Sequence, residues 1–311
     1  MSGKKRTTRQ PIVCGTDFSA TAREAVDIAA AMTKRLRISL LLLHVDELHR
    51  SLVSDPIIIE SAALQTRCEL DREAQRLRDS GIDVEGTVLA GSAFDQLVTT
   101  ATNAKARLIV IGAVGHGLAR RLLVGSVAER TAESSPIPTL VVRPGGRLAS
   151  WIRGEHELKV LVGYDFSAAS DAALRWVNQL TEIGKFRAAI LYSNWPPDEA
   201  RRLGHEGPLP LVTNPTDVQK KLERDLKKRV TTLLPKQEVS VLVEPGWGTP
   251  EGYLFEMASR QKVDLIVVGT HQRHGLGRVL LGSVSRAVLH HAKVSVAVIP
   301  PAETAVRKQR K

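Results

Sequence analysis

The stretch LIVIGAVG at residues 108–115 and the stretch LIVVGTHQ at residues 265–272 decide the fold of this chain. Each begins with a continuous apolar run that ends on a glycine, a pattern typical of a parallel strand buried on both faces. A Gly-Ser pair follows each stretch, at residues 125–126 and 282–283. Because glycine permits a tight turn or the close approach of a ligand, the pattern predicts a binding site at the carboxyl edge of a parallel sheet.

The chain contains a second copy of almost its whole pattern. Residues 91–127 match residues 248–284 at an offset of 157, whereas GTDFS at residues 15–19 matches GYDFS at residues 163–167 at an offset of 148. The second copy therefore carries a net insertion of nine residues, which we place in the Pro- and Gly-rich residues 195–215. Each copy is long enough to bury its own core, so we predict two similar domains rather than an array of short repeats.

The domain boundaries follow from the repeat and from local composition. We predict a first domain at residues 11–144, a second domain at residues 158–301, and a linker at residues 145–157 that is charged and short of apolar periodicity. Basic tails occupy residues 1–10 and 302–311.

Strand and helix patterns alternate within each copy. In the first copy, strands are predicted at residues 12–14, 38–45, 84–89, 107–111 and 139–142, with helices between them at residues 21–34, 57–79, 94–104 and 126–133. Thr21 and Glu24 have the spacing of a capping box, and Leu64, Cys68 and Leu77 are expected on one side of the second helix. Strands joined by crossover helices pair in parallel, which predicts an α/β fold with a doubly wound sheet in each domain.

Composition sets the broad class of the protein. The 311 residues are 43% hydrophobic and 25% charged, as in ordinary globular domains. No apolar run approaches the roughly 18 residues of a membrane span, so we expect a cytoplasmic protein with no membrane partner. The two cysteines, Cys14 and Cys68, are too few for a disulfide framework or a metal cluster, and we expect packed free thiols.

The net charge of +11 is concentrated at the two ends of the chain. Residues 1–10 contribute +4 and residues 302–311 contribute +3, which leaves +4 for everything between them. The sequence contains no helix-turn-helix, zinc-finger or basic aromatic pattern. We therefore expect any binding of nucleic acid to be weak, nonspecific and carried by the tails.

The glycine motif has the features of an anion site. A helix that begins at Ser126 presents unpaired N–H groups and a positive dipole end, and Gly125 lets an anion approach that backbone. Gly115, His116 and Gly117 can form a nest of amide groups, in which His116 could also meet a phosphate. The alternative is that these glycines only permit a tight loop and that Ser126 only caps the helix. The alternative is stronger in the second copy, where Gln272 replaces a glycine.

An aspartate follows the first strand of each copy, as Asp17 and as Asp165. A carboxylate at this point lies near the crevice where strand order reverses, so it could accept a hydrogen bond from a ribose hydroxyl or an adenine amino group. The alternative is that Asp17 or Ser19 caps the following helix. His44, at the end of the second strand, is expected to be a packed, hydrogen-bonded histidine.

These residues together resemble the universal stress protein family in its tandem form, with two such domains on one chain. The resemblance covers nearly everything from residue 12 to residue 300 outside the linker, and we expect five parallel strands in the order 3-2-1-4-5 in each domain. In the nucleotide-binding branch of that family, the Gly-x2-Gly-x9-Gly-(Ser/Thr) motif holds the phosphates and ribose of ATP. The aspartate after the first strand meets the adenosine part.

Carried over to this sequence, the resemblance implicates residues in both domains. In the first domain they are Asp17, Val45, Gly112, Gly115, Gly125, Ser126 and Val127, and in the second they are Asp165, Gly269, Gly282, Ser283 and Val284. The second domain departs from the motif at Gln272, whose side chain would crowd the loop. We therefore expect ATP, with or without Mg²⁺, mainly in the first domain.

We interpret the chain as a stress-response regulatory module that binds an adenine nucleotide, rather than as a dedicated enzyme. Neither copy supplies a nucleophile with a base and an orienting partner. Two alternatives stay open: a slow Mg²⁺-dependent ATPase that uses Asp17, and a nonspecific nucleic-acid binder that uses the tails. We also expect the domains to pair through their final strands, at residues 139–142 and 295–299, because exposed strand edges invite uncontrolled pairing. Further association into a homodimer is compatible with the sequence.

Overall fold

The computed structural model describes residues 10–47, 56–115, 124–208, 211–235, 237–246, 248–270 and 282–302, without side chains for residues 56–59. Nearly all of both basic tails, together with His116, Gly117 and Gln272, lies outside the described residues. The chain divides into two compact units, one formed by residues 1–131 and 136–142 and the other by residues 132–135 and 143–311.

The first unit is a parallel sheet with helical crossovers. Its elements are β1 (Ile12–Gly15), α1 (Ala20–Leu36), β2 (Leu40–Asp46), α2 (Pro56–Asp79), β3 (Val84–Ala90), α3 (Ala93–Asn103), β4 (Leu108–Gly112), α4 (Ser126–Ser134) and β5 (Thr139–Val142). The strands lie in the order β3-β2-β1-β4-β5, and every pair is parallel. The predicted doubly wound α/β fold and the predicted strand order are confirmed.

The second unit repeats this architecture with additional helices. Its elements are α5 (Leu148–Arg153), β6 (Leu158–Gly163), α6 (Ala168–Gln179), a short 3-10 helix (Leu180–Glu182), β7 (Phe186–Asn194), α7 (Pro196–Arg202), α8 (Thr216–Leu233), β8 (Val239–Pro245), α9 (Pro250–Gln261), β9 (Leu265–Gly269), α10 (Ser283–His291) and β10 (Ser295–Ile299). Its strands lie in the order β8-β7-β6-β9-β10, again all parallel.

The strand order fixes where a ligand can enter each unit. In the first unit the chain leaves β1 toward β2 and β3, and then crosses back to place β4 on the other side of β1. In the register, Ile12 of β1 lies opposite Leu40 of β2 on one side and Leu108 of β4 on the other. The crevice where strand order reverses therefore opens at the carboxyl ends of β1 and β4, and in the second unit at those of β6 and β9.

Helix α1 begins differently from the sequence prediction. Ser19 is its N-cap residue, and the Ser19 hydroxyl oxygen accepts a hydrogen bond from the backbone N–H of Ala22 at 3.2 Å. The predicted capping box of Thr21 and Glu24 is wrong, because the helix already begins at Ala20. Ser167 caps α6 in the same way, with its hydroxyl oxygen accepting from the N–H of Ser170 at 3.1 Å.

The buried face of α2 is also not the predicted one. Leu70, Ala74 and Leu77 are buried, whereas Leu64 is 63% exposed and Cys68 is exposed. At 100° per residue, the spacing 70, 74, 77 keeps one face toward the sheet, and positions 64 and 68 point away from it. Both cysteines are free as expected, but only Cys14 is packed, and burial raises the pKa of its thiol.

Two helices lie where none was predicted. The segment treated as a linker contains α5, in which Leu148, Trp151 and Ile152 are buried and the indole N–H of Trp151 donates to the Lys185 carbonyl oxygen at 2.8 Å. The segment assigned to the insertion contains α7. Among the helices of the described ranges, none has the length and apolar character needed to cross a membrane.

Candidate functional site

A cleft of about 440 Å³ opens at the carboxyl edge of the first sheet, within the usual range of small-molecule sites. Its lining contains every described residue that the sequence implicated in the first domain: Asp17, Val45, Gly112, Gly115, Gly125, Ser126 and Val127. These residues come from four separate segments of the chain. The fold therefore gathers the end of β1, the end of β2 and both sides of the β4–α4 loop around one space.

A cleft of about 990 Å³ occupies the matching place in the second unit. Its lining contains all five residues that the sequence implicated there: Asp165, Gly269, Gly282, Ser283 and Val284. The predicted loop residues His116 and Gly117 lie outside the described residues, as does Gln272.

Asp17 and Gly115 approach each other closely across the first cleft. A Cβ atom built on Gly115 would overlap the carboxylate oxygen Oδ2 of Asp17. The other carboxylate oxygen, Oδ1, accepts from the backbone N–H of Ser19 at 3.0 Å, which holds the side chain in place. A side chain at position 115 would therefore push the Asp17 carboxylate out of its place. The φ of Gly115 is not in the left-handed region, so the contact with Asp17, and not backbone strain, favours glycine here.

The glycines that end β4 and β9 admit the start of a neighbouring helix. A Cβ atom on Gly112 would lie 3.1 Å from the backbone N of Ala22 in α1, and a Cβ atom on Gly269 would lie 2.6 Å from the carbonyl carbon of Ala169 in α6. Backbone atoms cannot move away as a flexible side chain can. These two glycines thus bring the first turn of α1 and of α6 to the cleft, and with it the positive end of each helix dipole.

The two ends of the β4–α4 loop are tied together. The backbone N–H of Ala113 donates to the Val142 carbonyl oxygen at 2.8 Å, and the N–H of Gly125 donates to the Ala113 carbonyl oxygen at 2.7 Å. The N–H of Glu129 then donates to the Gly125 carbonyl oxygen at 3.0 Å, which forms the first turn of α4. The N-terminus of α4 is therefore fixed beside the end of β4, with its first N–H groups unable to find partners within the helix.

Gly125 differs from Gly112 and Gly115 in what surrounds it. A Cβ atom on Gly125 would lie 3.6 Å from the Ala113 carbonyl oxygen, which is an ordinary van der Waals contact. The protein itself therefore leaves room for a side chain at position 125. In the second unit Gly282 is the N-cap residue of α10, and no side chain caps that helix.

The turn after the first strand of each unit has the same unusual backbone. Phe18 has a φ of 64° and Phe166 has a φ of 60°, and both values lie in the left-handed region that large side chains rarely adopt. The turn lets the aspartate before it accept from the N–H of the serine after it, at 3.0 Å in both units. Strain at matching positions in two repeats marks a turn that the surrounding fold enforces.

His44 is packed as the sequence predicted. Its Nδ1 atom lies 2.9 Å from the Thr16 carbonyl oxygen, and since a carbonyl oxygen only accepts, Nδ1 carries the proton and donates. The imidazole ring stacks on the Phe18 ring with 4.8 Å between ring centroids. His44 thereby fixes the strained turn next to Asp17.

Several lining residues were not found from the sequence. Glu47 lines the first cleft, and its Oε1 atom accepts from the backbone N–H of Ala93 at 2.6 Å, at the beginning of α3. Leu43 and Leu97 supply apolar surface to the same cleft. Glu47 directly follows a buried strand, and this position could have identified it as a lining residue. The sequence prediction ended that strand at Val45, whereas the structure ends it at Asp46.

The second cleft contains a buried polar network behind its lining. Tyr164, at the position of Thr16, donates from its hydroxyl to Oδ1 of Asp171 at 2.7 Å. Arg229 of α8 donates to the same carboxylate from Nε at 2.9 Å and also from its Nη2 atom. Burial, aided by the Asp171 carboxylate, raises the pKa of the Tyr164 hydroxyl, so this group stays neutral and donates. In the described parts of both units, no cluster of three or more His, Cys, Asp or Glu side chains is placed to hold a metal ion.

Known proteins resemble the chain in both sequence and fold. Universal stress protein Rv2005c of Mycobacterium tuberculosis is 30% identical over 211 residues, which cover 62% of this chain and 62% of that protein. The chain therefore spans less than two thirds of the length of this relative. Universal stress protein A homolog 2 of Coxiella burnetii is 34% identical over 145 residues, covering 45% of this chain and 93% of that protein.

The fold and the whole-length sequence pattern agree with these matches. The crystal structure of a universal stress protein from Archaeoglobus fulgidus DSM 4304 superposes with a TM-score of 0.67 at 20% identity, covering 94% of this chain and 98% of that chain. The model of the Universal stress protein family matches twice, at residues 8–143 and at residues 158–300. The chain belongs to the universal stress protein family.

Proposed function

We propose that the chain is a stress-response regulatory protein that binds an adenine nucleotide, ATP, mainly in the cleft of the first domain. The observation that carries the proposal is that one cleft contains both halves of the predicted site. Asp17 and Val45 lie on the side of β1 and β2, and Gly125 and Ser126 lie at the start of α4.

The phosphate groups are assigned to the N-terminus of α4. Free N–H groups and the positive helix dipole favour an anion at this point. Gly125 supports the assignment. The protein itself leaves room for a side chain at this position, whereas a ligand that approaches the backbone there would need the space to be empty. In this proposal the Ser126 hydroxyl, which lines the cleft, adds a hydrogen bond to a phosphate oxygen.

The adenosine part is assigned to the side of β1 and β2. Leu43, Val45 and Leu97 provide the apolar surface that a flat base requires. Asp17, held by the Ser19 N–H, accepts from a ribose hydroxyl or from the adenine amino group. Glu47 lies at the rim with one carboxylate oxygen engaged by the N–H of Ala93.

The second domain is assigned a weaker nucleotide site or none. It keeps Asp165, Gly269 and the start of α10, but its motif has Gln272 in place of a glycine. A location in the cytoplasm and pairing of the two domains stay predictions of the sequence, and slow Mg²⁺-dependent hydrolysis of ATP stays the alternative to plain binding.

Equilibrium binding of fluorescent ATP to the full chain tests the proposal with a matched pair of variants. Gly125→Val fills the position where the phosphates would approach, and we expect it to weaken ATP binding at least about tenfold, or about 1.4 kcal/mol. Gly282→Val makes the same change in the second domain, and we expect less than about a twofold effect. Both variants should unfold at the wild-type temperature. ATP binding that survives Gly125→Val unchanged would contradict the proposal.

A further inference from the structure

Helix α8 carries an excess of positive charge on the folded part of the protein. It contains six basic residues and three acidic ones. The chain between the two tails has a net charge of only +4, so the +3 of this helix accounts for most of it. The two tails carry the larger share of the net charge, so the basic pattern of α8 does not stand out in the sequence.

The basic residues of α8 lie opposite its buried face. Val218, Leu222, Leu226 and Val230 are at most 3% exposed and pack toward β8 and α6. At 100° per residue, five exposed cations fall within an arc of about 120° on the other side. This basic stripe consists of Lys220, Lys221, Arg224, Lys227 and Lys228. It extends about 12 Å along the helix at 1.5 Å per residue.

The basic stripe is not neutralised by its surroundings. None of its five cations forms an ion pair with a residue that the structure describes. The acidic residues Glu223 and Asp225 lie on the two flanks of the stripe, and Asp217 lies within its arc in the first turn of the helix, where it binds His205 at 3.1 Å. Arg229 lies on the opposite side of the helix and is bound to Asp171. Five like charges at this spacing repel one another, and an external anion would relieve that repulsion.

The corresponding helix of the first unit has the opposite charge balance. Helix α2 follows β2 as α8 follows β7, and it contains four basic and five acidic residues. The fold therefore does not require a basic surface at this place. The charge of α8 is a property of the second domain alone.

We infer that the basic stripe of α8 is a docking surface for the phosphate backbone of double-stranded nucleic acid, read without regard to base sequence. A duplex carries one negative charge per about 1.7 Å of its axis with both strands counted, so a 12 Å length contains about seven phosphates, and those on one side can face the stripe. Four of the five cations are lysines, which bind phosphates as point charges, and the amide of Gln219 beside them is engaged by Glu223 and by the Val243 carbonyl oxygen. The inference is independent of nucleotide binding in the clefts.

A lipid surface fits the helix less well. A helix that binds at a membrane interface inserts an apolar face next to its basic one. The apolar residues of α8 are buried under the helix against its own sheet, so only charge would face the lipid.

The test compares two triple variants of the full chain that lose the same number of charges. Lys221→Gln, Arg224→Gln, Lys228→Gln removes three of the five charges, on one side of the basic stripe. The control, Arg67→Gln, Arg72→Gln, Arg78→Gln, removes three exposed cations from α2. Glutamine is a good helix former, so both helices should persist, which circular dichroism checks. The tails are present in both variants and contribute equally.

Fluorescence anisotropy with a 20-base-pair DNA duplex of random sequence, titrated at several salt concentrations, supplies the readout. Each lost phosphate contact lowers the salt slope of log K by about 0.9, so we expect the α8 variant to lose about 2.7 from that slope and the control to lose little. Equal losses of salt slope in both variants would show that only the net charge of the protein matters, and this would overturn the inference. It would also be overturned if a polyglutamate peptide of matched charge, or a vesicle containing phosphatidylserine, bound α8 more tightly than the duplex did.

Discussion

The clefts of the two domains share their backbone and differ in their lining. Both have a strained phenylalanine after the first strand, a serine that caps the next helix, and an aspartate that accepts from the N–H of that serine. Around this common frame, the first cleft has Thr16, Ala22, Val45 and Ala93 where the second has Tyr164, Ser170, Ser193 and Pro250.

The difference separates what the fold needs from what a ligand needs. The turn and the helix caps are kept because they hold α1 and α6 against the ends of β4 and β9. The side chains that face the open space do not hold these elements together, so they can differ between the two domains. In the second domain, one such difference is a polar network behind the cleft, centred on the buried side chain of Asp171.

The contrast is tested most strongly at Gly115. A glutamine at this position, as in the second copy, would overlap the Asp17 carboxylate, so we expect Gly115→Gln to weaken ATP binding about a hundredfold, or about 2.7 kcal/mol. The measurement is equilibrium binding of ATP to the full chain. Gly146→Gln is the control, because a Cβ atom there meets only an ordinary contact at 3.5 Å. Unchanged binding in Gly115→Gln, together with loss of binding in Gly282→Val, would reverse the assignment of the two domains.

The buried network of the second domain should contribute more to stability than a surface pair of the first. Arg229→Ala leaves the Asp171 carboxylate, which is 6% exposed, without its cationic partner, and we expect a loss of about 2 kcal/mol in the free energy of unfolding. Arg76→Ala is the counterpart in the first domain, where Arg76 and Asp27 are both about half exposed. We expect that variant to lose less than about 1 kcal/mol in urea denaturation. Equal losses would show that burial of Asp171 has no energetic consequence.

Substitution of the two aspartates should also distinguish the two clefts in their binding of ATP. Asp17→Asn keeps an oxygen for the Ser19 N–H but removes the charge, and we expect ATP affinity to fall about tenfold, which corresponds to one hydrogen bond to a charged group. Asp165→Asn should change it by less than about twofold. Isothermal titration calorimetry of both variants makes the comparison. A larger effect of Asp165→Asn would place the main site in the second domain.

The smallest expected signal is catalytic turnover. We expect ATP hydrolysis well below the usual enzymatic range of about 1 to 1000 per second, because neither copy of the sequence supplies a nucleophile with a base and an orienting partner. Steady-state release of phosphate is the measurement. A rate within that range, abolished in Asp17→Asn while ATP still binds, would favour the ATPase alternative.

The sheets could be predicted well from the sequence, because a parallel strand that is buried on both faces consists of a continuous run of apolar residues. The run at residues 108–111 placed β4 within one residue, and the matching run placed β9. The gathering of Asp17, Val45 and Gly125 around one cleft followed from strand order, which forces the carboxyl ends of neighbouring strands together.

Features that depend on a few tertiary contacts escaped the sequence. Helix α5 buries only Leu148, Trp151 and Ile152, too few for a periodic pattern to stand out in a charged segment. The sequence offered both Thr21 and Ser19 as caps of α1, and its local pattern could not choose between them. The contact of Gly115 with Asp17 joins residues distant in sequence, and no local pattern could reveal it.

The hydrogen bond from the Gly125 N–H to the Ala113 carbonyl oxygen joins the two ends of the segment between these residues. Since β4 and α4 already hold the two ends together, the entropy of closing the loop does not depend on what the loop contains. Residues 114–124 and residues 271–281 have equal length. An exchange of residues 116–124 for residues 273–281 leaves Gly115 beside Asp17, so each sheet should unfold as before, and any nucleotide preference that these residues carry should move with them.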